Sequence, residues 1–249
     1  MITYHNVSKR FTSGSQGFTQ ALDRVSLRIP RGEFVVLVGA NGSGKSSLLN
    51  ALAGSFRIDE GDICIEEVRV NEQKDFQRSR WLARIFQNPL SGTAPELSVL
   101  DNFRLAALRT RPKGLRLGIN ARFKETVREK VALLGMGLEN RLSQAMGTLS
   151  GGQRQALTLV MAIMDEAKIL LLDEPSAALD PRSAANLMEK ADLIIREYGL
   201  TAILITHDLK DAHRYGHRLV QMQAGKIIRD LDAAQKQALT LPELYGWFA

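Results

Sequence analysis

Residues 39–46 constrain the fold of this chain more than any other stretch. They read Gly39, Ala40, Asn41, Gly42, Ser43, Gly44, Lys45 and Ser46, which fits the pattern G-x-x-x-x-G-K-[ST]. An apolar run at 34–38 precedes them, and a helical pattern that starts at Ser47 and stops at Gly54 follows. Glycines let a loop turn tightly and aim successive N–H groups at one anion, and the next helix adds its N-terminal amides. This strand–loop–helix context predicts a nucleotide phosphate site rather than a flexible glycine turn.

Three side chains have the chemistry to complete a nucleotide site. Lys45 is expected to reach the β- and γ-phosphates, and the Ser46 hydroxyl is expected to complete a Mg²⁺ shell. Phe11 lies just before a turn rich in glycine and serine. An aromatic ring there can stack on adenine, although half-buried packing explains Phe11 equally well.

Two acids, Asp173 and Glu174, directly follow a short apolar run that is typical of a buried strand. At such a strand tip one acid can hold Mg²⁺ while its neighbour orients or deprotonates the attacking water. The alternative is an acidic surface turn before Pro175, which the nearby phosphate loop disfavours. His207 ends another apolar strand pattern, where its imidazole can touch a γ-phosphate.

The sequence around Ser150 predicts the start of a second helix. Ser150 is a natural N-cap, and Gly151 and Gly152 leave the first amides of the helix open to an anion. Gln153 completes the motif. Alone, a serine followed by two glycines is most often only a turn.

The order of strand and helix patterns predicts an α/β fold. Alternating strand patterns at 2–7, 21–29 and 63–70 favour antiparallel strands with one exposed face. Helical periodicity follows from 97 to 164, and apolar strands at 168–172 and 202–205 flank another helix. We therefore expect a mostly parallel core sheet, an antiparallel β subdomain and an inserted helical subdomain within a single domain.

The predicted boundaries divide the chain into a core at about 1–86 and 165–249 and a helical subdomain at about 88–164. The length of 249 residues, 45% hydrophobic, allows such a core. No apolar run reaches the roughly 18 residues of a membrane helix, and the N-terminus lacks a signal-peptide layout. The single cysteine, Cys64, fits a reducing cytosol.

In this order, the motifs resemble those of the ATP-binding subunit of ABC transporters, over essentially the whole chain. The matches are Walker A at 39–46, the Q-loop at Gln87, the family signature at 149–153, Walker B at 169–173 with catalytic Glu174, the D-loop at 177–180 and the switch histidine at His207. The resemblance implies ATP and Mg²⁺ as cofactors.

The resemblance also implies a role for each matching residue. Catalysis is expected from Lys45, Gln87, Glu174 and His207, and Mg²⁺ binding from Ser46, Gln87 and Asp173. Nucleotide binding is expected from Phe11, Gly39, Ala40, Asn41, Gly42, Ser43, Gly44, Lys45, Ser46, Ser47, Ser150, Gly151, Gly152, Gln153, Asp173 and Asp180.

The partners implied by the resemblance are a second copy of the chain, a membrane permease and an extracytoplasmic substrate-binding protein. The two copies are expected to pair head to tail, with Walker A of one facing the signature of the other across ATP. The permease is expected to contact the helical subdomain near Gln87, which places the chain at the cytoplasmic face of the membrane. No nucleic acid partner is expected. The implied function is to hydrolyse ATP and so drive movement of a small solute, such as an amino acid.

Some positions depart from the commonest family pattern. Ala177 stands where the D-loop usually has serine, and Phe11 stands where tyrosine is frequent. The stretches 88–95 and 154–159 look like those of a bacterial importer branch whose members are often described as tryptophan/tyrosine or uncharacterised uptake systems.

Two other classes of ATPase remain as alternatives. A soluble scaffold ATPase of iron–sulfur assembly has a similar size and no permease, but it typically departs from the signature that is intact at 150–153. A DNA-repair or chromosome ATPase inserts a long coiled coil or zinc modules between phosphate loop and signature. The interval from Ser46 to Ser150 is too short for the coiled coil and has no zinc-spaced cysteines.

A basic segment between residues 104 and 124 has two interpretations. It contains no Asp or Glu, and its basic residues are Arg104, Arg109, Arg111, Lys113, Arg116, Arg122 and Lys124. One interpretation is a solvated loop that keeps the protein soluble. The other is attraction to anionic lipid headgroups beside the permease. The formal net charge of +6 does not decide between them.

Overall fold

The computed structural model describes residues 1–12, 17–108, 118–164 and 167–248. Its strands are β1 (Ile2–Thr12), β2 (Phe18–Ile29), β3 (Phe34–Val38), β4 (Glu60–Ile65), β5 (Val68–Arg69), β6 (Leu82–Ile85), β7 (Ile169–Asp173), β8 (Thr201–Ile205), β9 (Arg218–Gln223) and β10 (Lys226–Leu231). Its helices are α1 (Lys45–Ala53), α2 (Asp75–Arg78), α3 (Val99–Ala107), α4 (Ala121–Ala132), α5 (Gly151–Ala162), α6 (Pro181–Glu197), α7 (Leu209–Arg214), α8 (Ala233–Ala238) and α9 (Leu241–Gly246).

The larger sheet has six strands in the order β10-β9-β3-β8-β7-β6. All neighbours from β9 to β6 pair in parallel, and β10 is an antiparallel edge strand. Helices α3, α4 and α5 lie in the chain between β6 and β7, which are adjacent in this sheet. The predicted fold class, a mostly parallel sheet with inserted helices, is confirmed.

The smaller sheet has four strands in the order β2-β1-β4-β5, all antiparallel. The alternation at 63–70 predicted one continuous strand there, and the structure instead has a tight hairpin. Glu66 and Glu67 both adopt positive φ, 51° and 66°. Two consecutive left-handed residues make the turn that suits the right-handed twist of paired strands, so the chain reverses after Ile65.

Both faces of the six-stranded sheet are buried, which explains the apolar runs in its central strands. In β3, Val35 and Leu37 pack toward α1 and the antiparallel sheet. Phe34, Val36 and Val38 face the other way, into a core that includes side chains of α3, α4, α5 and α6. The sheet is therefore the shared wall of two hydrophobic cores.

The helices between β6 and β7 present the faces that their periodicity predicts. Val99, Phe103 and Ala107 of α3 are buried, as are Val127 and Val131 of α4. Among the described residues no helix is long and apolar enough to cross a bilayer. Residues 109–117, and with them much of the basic segment, lie outside the part of the chain that the structure describes.

Candidate functional site

The phosphate-loop motif forms the connection between β3 and α1, as predicted. Gly44 is the N-cap of α1 and has φ of +105°, a conformation that favours glycine. A Cβ at this position would lie 2.5 Å from the carbonyl oxygen of Ala21. The helix then ends at Gly54, whose N–H caps the last turn from a left-handed conformation. The loop is thus fixed by backbone packing on one side and by a helix start on the other.

Lys45 lies folded against its own loop. Its side chain is 5% exposed, and its Nζ donates to the carbonyl oxygens of Gly39 at 2.7 Å and of Ala40 at 3.0 Å. Burial lowers the pKa of the Lys45 ammonium from its usual value, and the negative charges of Glu174 and Asp173 oppose that shift. The ammonium is therefore held by the backbone of its own loop, where it feels the charges of both acids.

Asp173 ends β7 and contacts two elements at once. Its Oδ1 lies 3.4 Å from the Ser46 hydroxyl at the start of α1. Its Oδ2 accepts from Arg84 of β6 at 2.6 Å, and Arg84 also donates to Asn50 of α1 at 2.7 Å. One carboxylate oxygen therefore faces the phosphate loop, while the other is held by a mostly buried guanidinium.

Glu174 points away from Asp173 because the backbone turns between them. Its φ is +50°, a left-handed conformation that is uncommon for a residue other than glycine. Its Oε1 lies 2.7 Å from His207 Nε2, and its Oε2 lies 3.4 Å from the amide nitrogen of Gln87. The structure thus places in one cluster the three predicted catalytic residues that lie outside the phosphate loop, namely Gln87, Glu174 and His207.

A cavity of about 430 Å³ joins these groups. The residues that line it include 41–47, Glu174, His207 and Phe11. Phe11 is 39% exposed, and its ring meets Phe56 edge-on, with the two centroids 5.1 Å apart. An aromatic surface and a phosphate loop therefore border the same space, as a nucleotide site requires.

The predicted signature residues lie elsewhere. Ser150 caps α5, and its side chain and that of Gln153 form reciprocal bonds with each other's backbone. Gly152 is buried, and a Cβ on it would lie 3.0 Å from Ser183 of α6, so any larger residue there would require Ser183 to shift. Asp180 caps α6 by accepting from the Ser183 N–H at 3.0 Å. Hydrogen bonds from the Ser183 hydroxyl and from this N–H lower the pKa of the Asp180 carboxyl. Neither 150–153 nor Asp180 lines the cavity, among the described residues.

Sequence reasoning missed several residues of this region. Arg84 belongs to none of the motifs, although a charge within the mostly apolar run 81–86 is a signal. The cavity walls also include Thr12, Thr19 and Ala21 from β1 and β2. Nothing in an alternating strand pattern marks these three, because their place depends on how the antiparallel sheet packs beside the loop.

Comparison with known proteins agrees with this geometry. A family model described as "ABC transporter" matches residues 22–177. A tyrosine transport ATP-binding protein from Clostridioides difficile is 34% identical over 251 residues, covering 100% of this chain and 98% of the relative. A phosphonates import ATP-binding protein from Agrobacterium fabrum is 34% identical over 243 residues, covering 96% of this chain and 82% of the relative.

Solved structures give the same result. An ATP-binding cassette solved as a dimer in a post-hydrolysis state, bound to ADP and Pi, superposes with a TM-score of 0.80 at 26% identity. The match covers 94% of this chain and 99% of that one. The family model, the full-length relatives and the fold agree, and the chain therefore belongs to the ABC transporter family as an ATP-binding, ATP-hydrolysing subunit with ATP and Mg²⁺ as its cofactors.

Proposed function

We propose that this chain is the ATPase of an importer, and that it powers uptake of a small solute through a separate membrane permease. The observation that carries the proposal is the cavity in which the phosphate loop, Glu174 and His207 meet. The relatives named above, described as tyrosine transport and phosphonates import proteins, support the direction of transport and a small solute.

The nucleotide is held mainly by backbone and by one cation. The amides of 41–46 and the N-terminus of α1 surround the phosphates, and Lys45 leaves its carbonyl partners to reach the β- and γ-phosphates. Phe11 offers its exposed ring to the adenine. Because the ring is already fixed by Phe56, little side-chain freedom is lost when the base stacks on it.

The donors near the loop suit Mg²⁺. The Ser46 hydroxyl and Asp173 Oδ1 lie 3.4 Å apart and are hard oxygen donors, the type that Mg²⁺ prefers. Both would hold the ion, together with the amide oxygen of Gln87. When bound, the ion neutralises charge on the phosphates. Arg84 holds the other oxygen of Asp173, which leaves Oδ1 facing the Ser46 hydroxyl.

Glu174 orients the attacking water and accepts its proton. His207 lies 2.7 Å from one of its oxygens and Gln87 lies 3.4 Å from the other. These contacts hold the carboxylate beside the place where the γ-phosphate would lie. A base fixed in this way contributes about 10²–10⁴-fold to turnover.

The active unit is a head-to-tail pair of chains at the cytoplasmic face of the membrane. Residues 150–153 and Asp180 lie outside the cavity of their own chain, which fits a role across a dimer interface, and the cassette named above was solved as a dimer. The helical subdomain at about 88–164 contacts the permease near Gln87. An extracytoplasmic binding protein delivers the solute.

Glu174→Gln tests the chemistry. The variant keeps the shape of the side chain but removes its basicity, so ATP should bind with nearly normal affinity while steady-state hydrolysis falls by about 10²-fold. A fluorescent ATP analogue measures binding, and phosphate release measures turnover. Near-normal turnover in this variant would remove Glu174 from its proposed role.

Association with a permease separates the proposal from a soluble ATPase of the same superfamily. We expect the tagged full-length chain to copurify from detergent extracts of its host with a protein that has several membrane spans. Recovery with soluble partners alone would favour the iron–sulfur scaffold class or a DNA-associated class.

A further inference from the structure

Gln155 is a buried amide that joins three parts of the site. It lies in α5 and is 1% exposed. Its Nε2 donates to the carbonyl oxygen of Phe86 at 2.6 Å and to that of Pro175 at 3.3 Å. Both N–H groups of this side chain therefore have acceptors on chain segments outside its own helix.

These two carbonyls flank the proposed catalytic residues. Phe86 directly precedes Gln87, and Pro175 directly follows Glu174, whose backbone has φ of +50°. The Gln87 and Glu174 side chains approach each other at 3.4 Å. One amide thus joins the backbone next to each of them, at the point where β6 and β7 have ended.

The same helix begins at the signature. Ser150 caps α5, and Gln155 lies five residues further along, about 7.5 Å by helical rise. Helix α5 packs into the core shared with the parallel sheet through side chains such as Leu157 and Val160. Helix α5 therefore moves as one rigid unit, so a displacement of its start also displaces Gln155.

We propose that Gln155 is a positioning residue, which holds the signature helix at a fixed distance from the Gln87 and Glu174 segments. This inference rests on the proposed function. Gln155 does not line the nucleotide cavity, among the described residues, so it acts on hydrolysis through its neighbours. Its loss should affect turnover more than nucleotide binding, because the phosphate loop and Phe11 lie on other elements.

Gln155→Met tests the donors while keeping the length and volume of the side chain. We expect kcat for ATP hydrolysis by the full-length chain to fall at least tenfold, with KM changed less than about threefold, which is the pattern of a lost transition-state interaction. A kcat within twofold of wild type, in a variant that is folded by circular dichroism, overturns the inference.

Gln155→Glu adds a readout that a space-filling role would not affect. An ionised carboxylate would be repelled by the two carbonyls, whereas a protonated one can donate to one of them. Burial would raise the pKa of this introduced carboxyl. The ratio of its kcat to that of wild type should therefore rise as the pH falls from 8 to 6, and using the ratio cancels the pH dependence that both proteins share. A kcat ratio that does not change with pH contradicts the inference. This test still applies if Gln155→Met does not fold.

Asn102→Leu is the matched control. Asn102 is also 1% exposed and donates to the carbonyls of Ala94 and Ser98, each at 2.9 Å, but neither carbonyl is next to a proposed catalytic residue. We expect a lower melting temperature with kcat within twofold of wild type. If Asn102→Leu loses as much kcat as Gln155→Met, the role of Gln155 is only structural.

The outcome is distinguishable from failure of the proposed function. If the wild-type chain hydrolyses ATP and Glu174→Gln abolishes that activity, the proposed function stands, and normal kcat in Gln155→Met then refutes this inference alone. If the wild-type chain does not hydrolyse ATP, both fail together.

Discussion

The adjacent acids Asp173 and Glu174 contact different partners because the backbone conformation differs between them. Asp173 is the last residue of β7 and faces Ser46 and Arg84, whereas positive φ at Glu174 turns its side chain toward His207. Left-handed conformations of residues with a Cβ cost about 1–3 kcal/mol and persist where the surroundings fix them. That local strain allows one strand end to supply both a metal ligand and a base.

Phe56 offers a test of the base-stacking surface. Its ring contacts the Phe11 ring edge-on. On Phe11, Lys9 Nζ lies 5.4 Å from the ring centroid, and the same Nζ lies 2.8 Å from Asp59. Such an aromatic pair contributes about 0.5–1.5 kcal/mol, so Phe56→Ala should raise KM for ATP roughly 2–10-fold. The value of kcat should stay within twofold, because the phosphate loop is unchanged, and steady-state kinetics measures both constants.

Phe76→Ala is the control for that experiment. Phe76 is a phenylalanine of α2 with 68% of its surface exposed, and it lies outside the nucleotide cavity. Its removal should leave KM unchanged. An unaltered KM in Phe56→Ala would mean that Phe11 does not need this neighbour to contact the base.

At the scale of elements, α1 is fixed at its end as well as at its start. Arg78 of α2 is 2% exposed and donates to the carbonyls of Ala51 at 2.6 Å and of Leu52 at 2.9 Å, in the last turn of α1. Carbonyls in that turn have no partners within the helix, and a cation there also favours the helix dipole. Burial lowers the pKa of the Arg78 guanidinium, and the charge interaction with Tyr4 opposes that shift.

Arg78→Met should therefore destabilise the chain by about 3 kcal/mol, because buried carbonyls lose a charged donor. Urea unfolding followed by circular dichroism measures the change. Arg57→Met is the control, since Arg57 is exposed and pairs with exposed Glu72. It should shift the midpoint very little. Equal midpoints for the two variants would show that Arg78 does not stabilise the end of α1.

Most of the elements and the position of the phosphate loop could be predicted from the sequence, because both depend on local rules, whereas the hairpin after Ile65 could not. The apolar run at 34–38 is typical of a buried strand, and glycines at 39 and 44 mark the turn that follows. The Arg84–Asp173 pair and the Gln155 contacts depend on which strand ends meet in the sheet. Neither spacing nor periodicity contains that information, so only the three-dimensional structure places these side chains.

At the scale of the whole molecule, the six-stranded sheet lies between the two hydrophobic cores and contributes side chains to both. Ile169 and Leu171 of β7 face one core, and Leu170 and Leu172 face the other. The phosphate loop leaves β3 in the middle of this sheet, while Glu174 and His207 follow β7 and β8. A nucleotide in the cavity therefore contacts elements that are anchored in both cores.

Bound ATP should accordingly stabilise the chain as one cooperative unit. At 100 times its dissociation constant a ligand adds about 2.7 kcal/mol, which raises the melting temperature of a chain of this size by roughly 5–10 °C. Scanning calorimetry of Glu174→Gln, which should keep ATP intact, with and without MgATP measures this shift. Lys45→Ala should show little shift, because it lacks the cation that contacts the phosphates. If two transitions appear and ATP moves only one, the cores unfold separately and the nucleotide does not couple them.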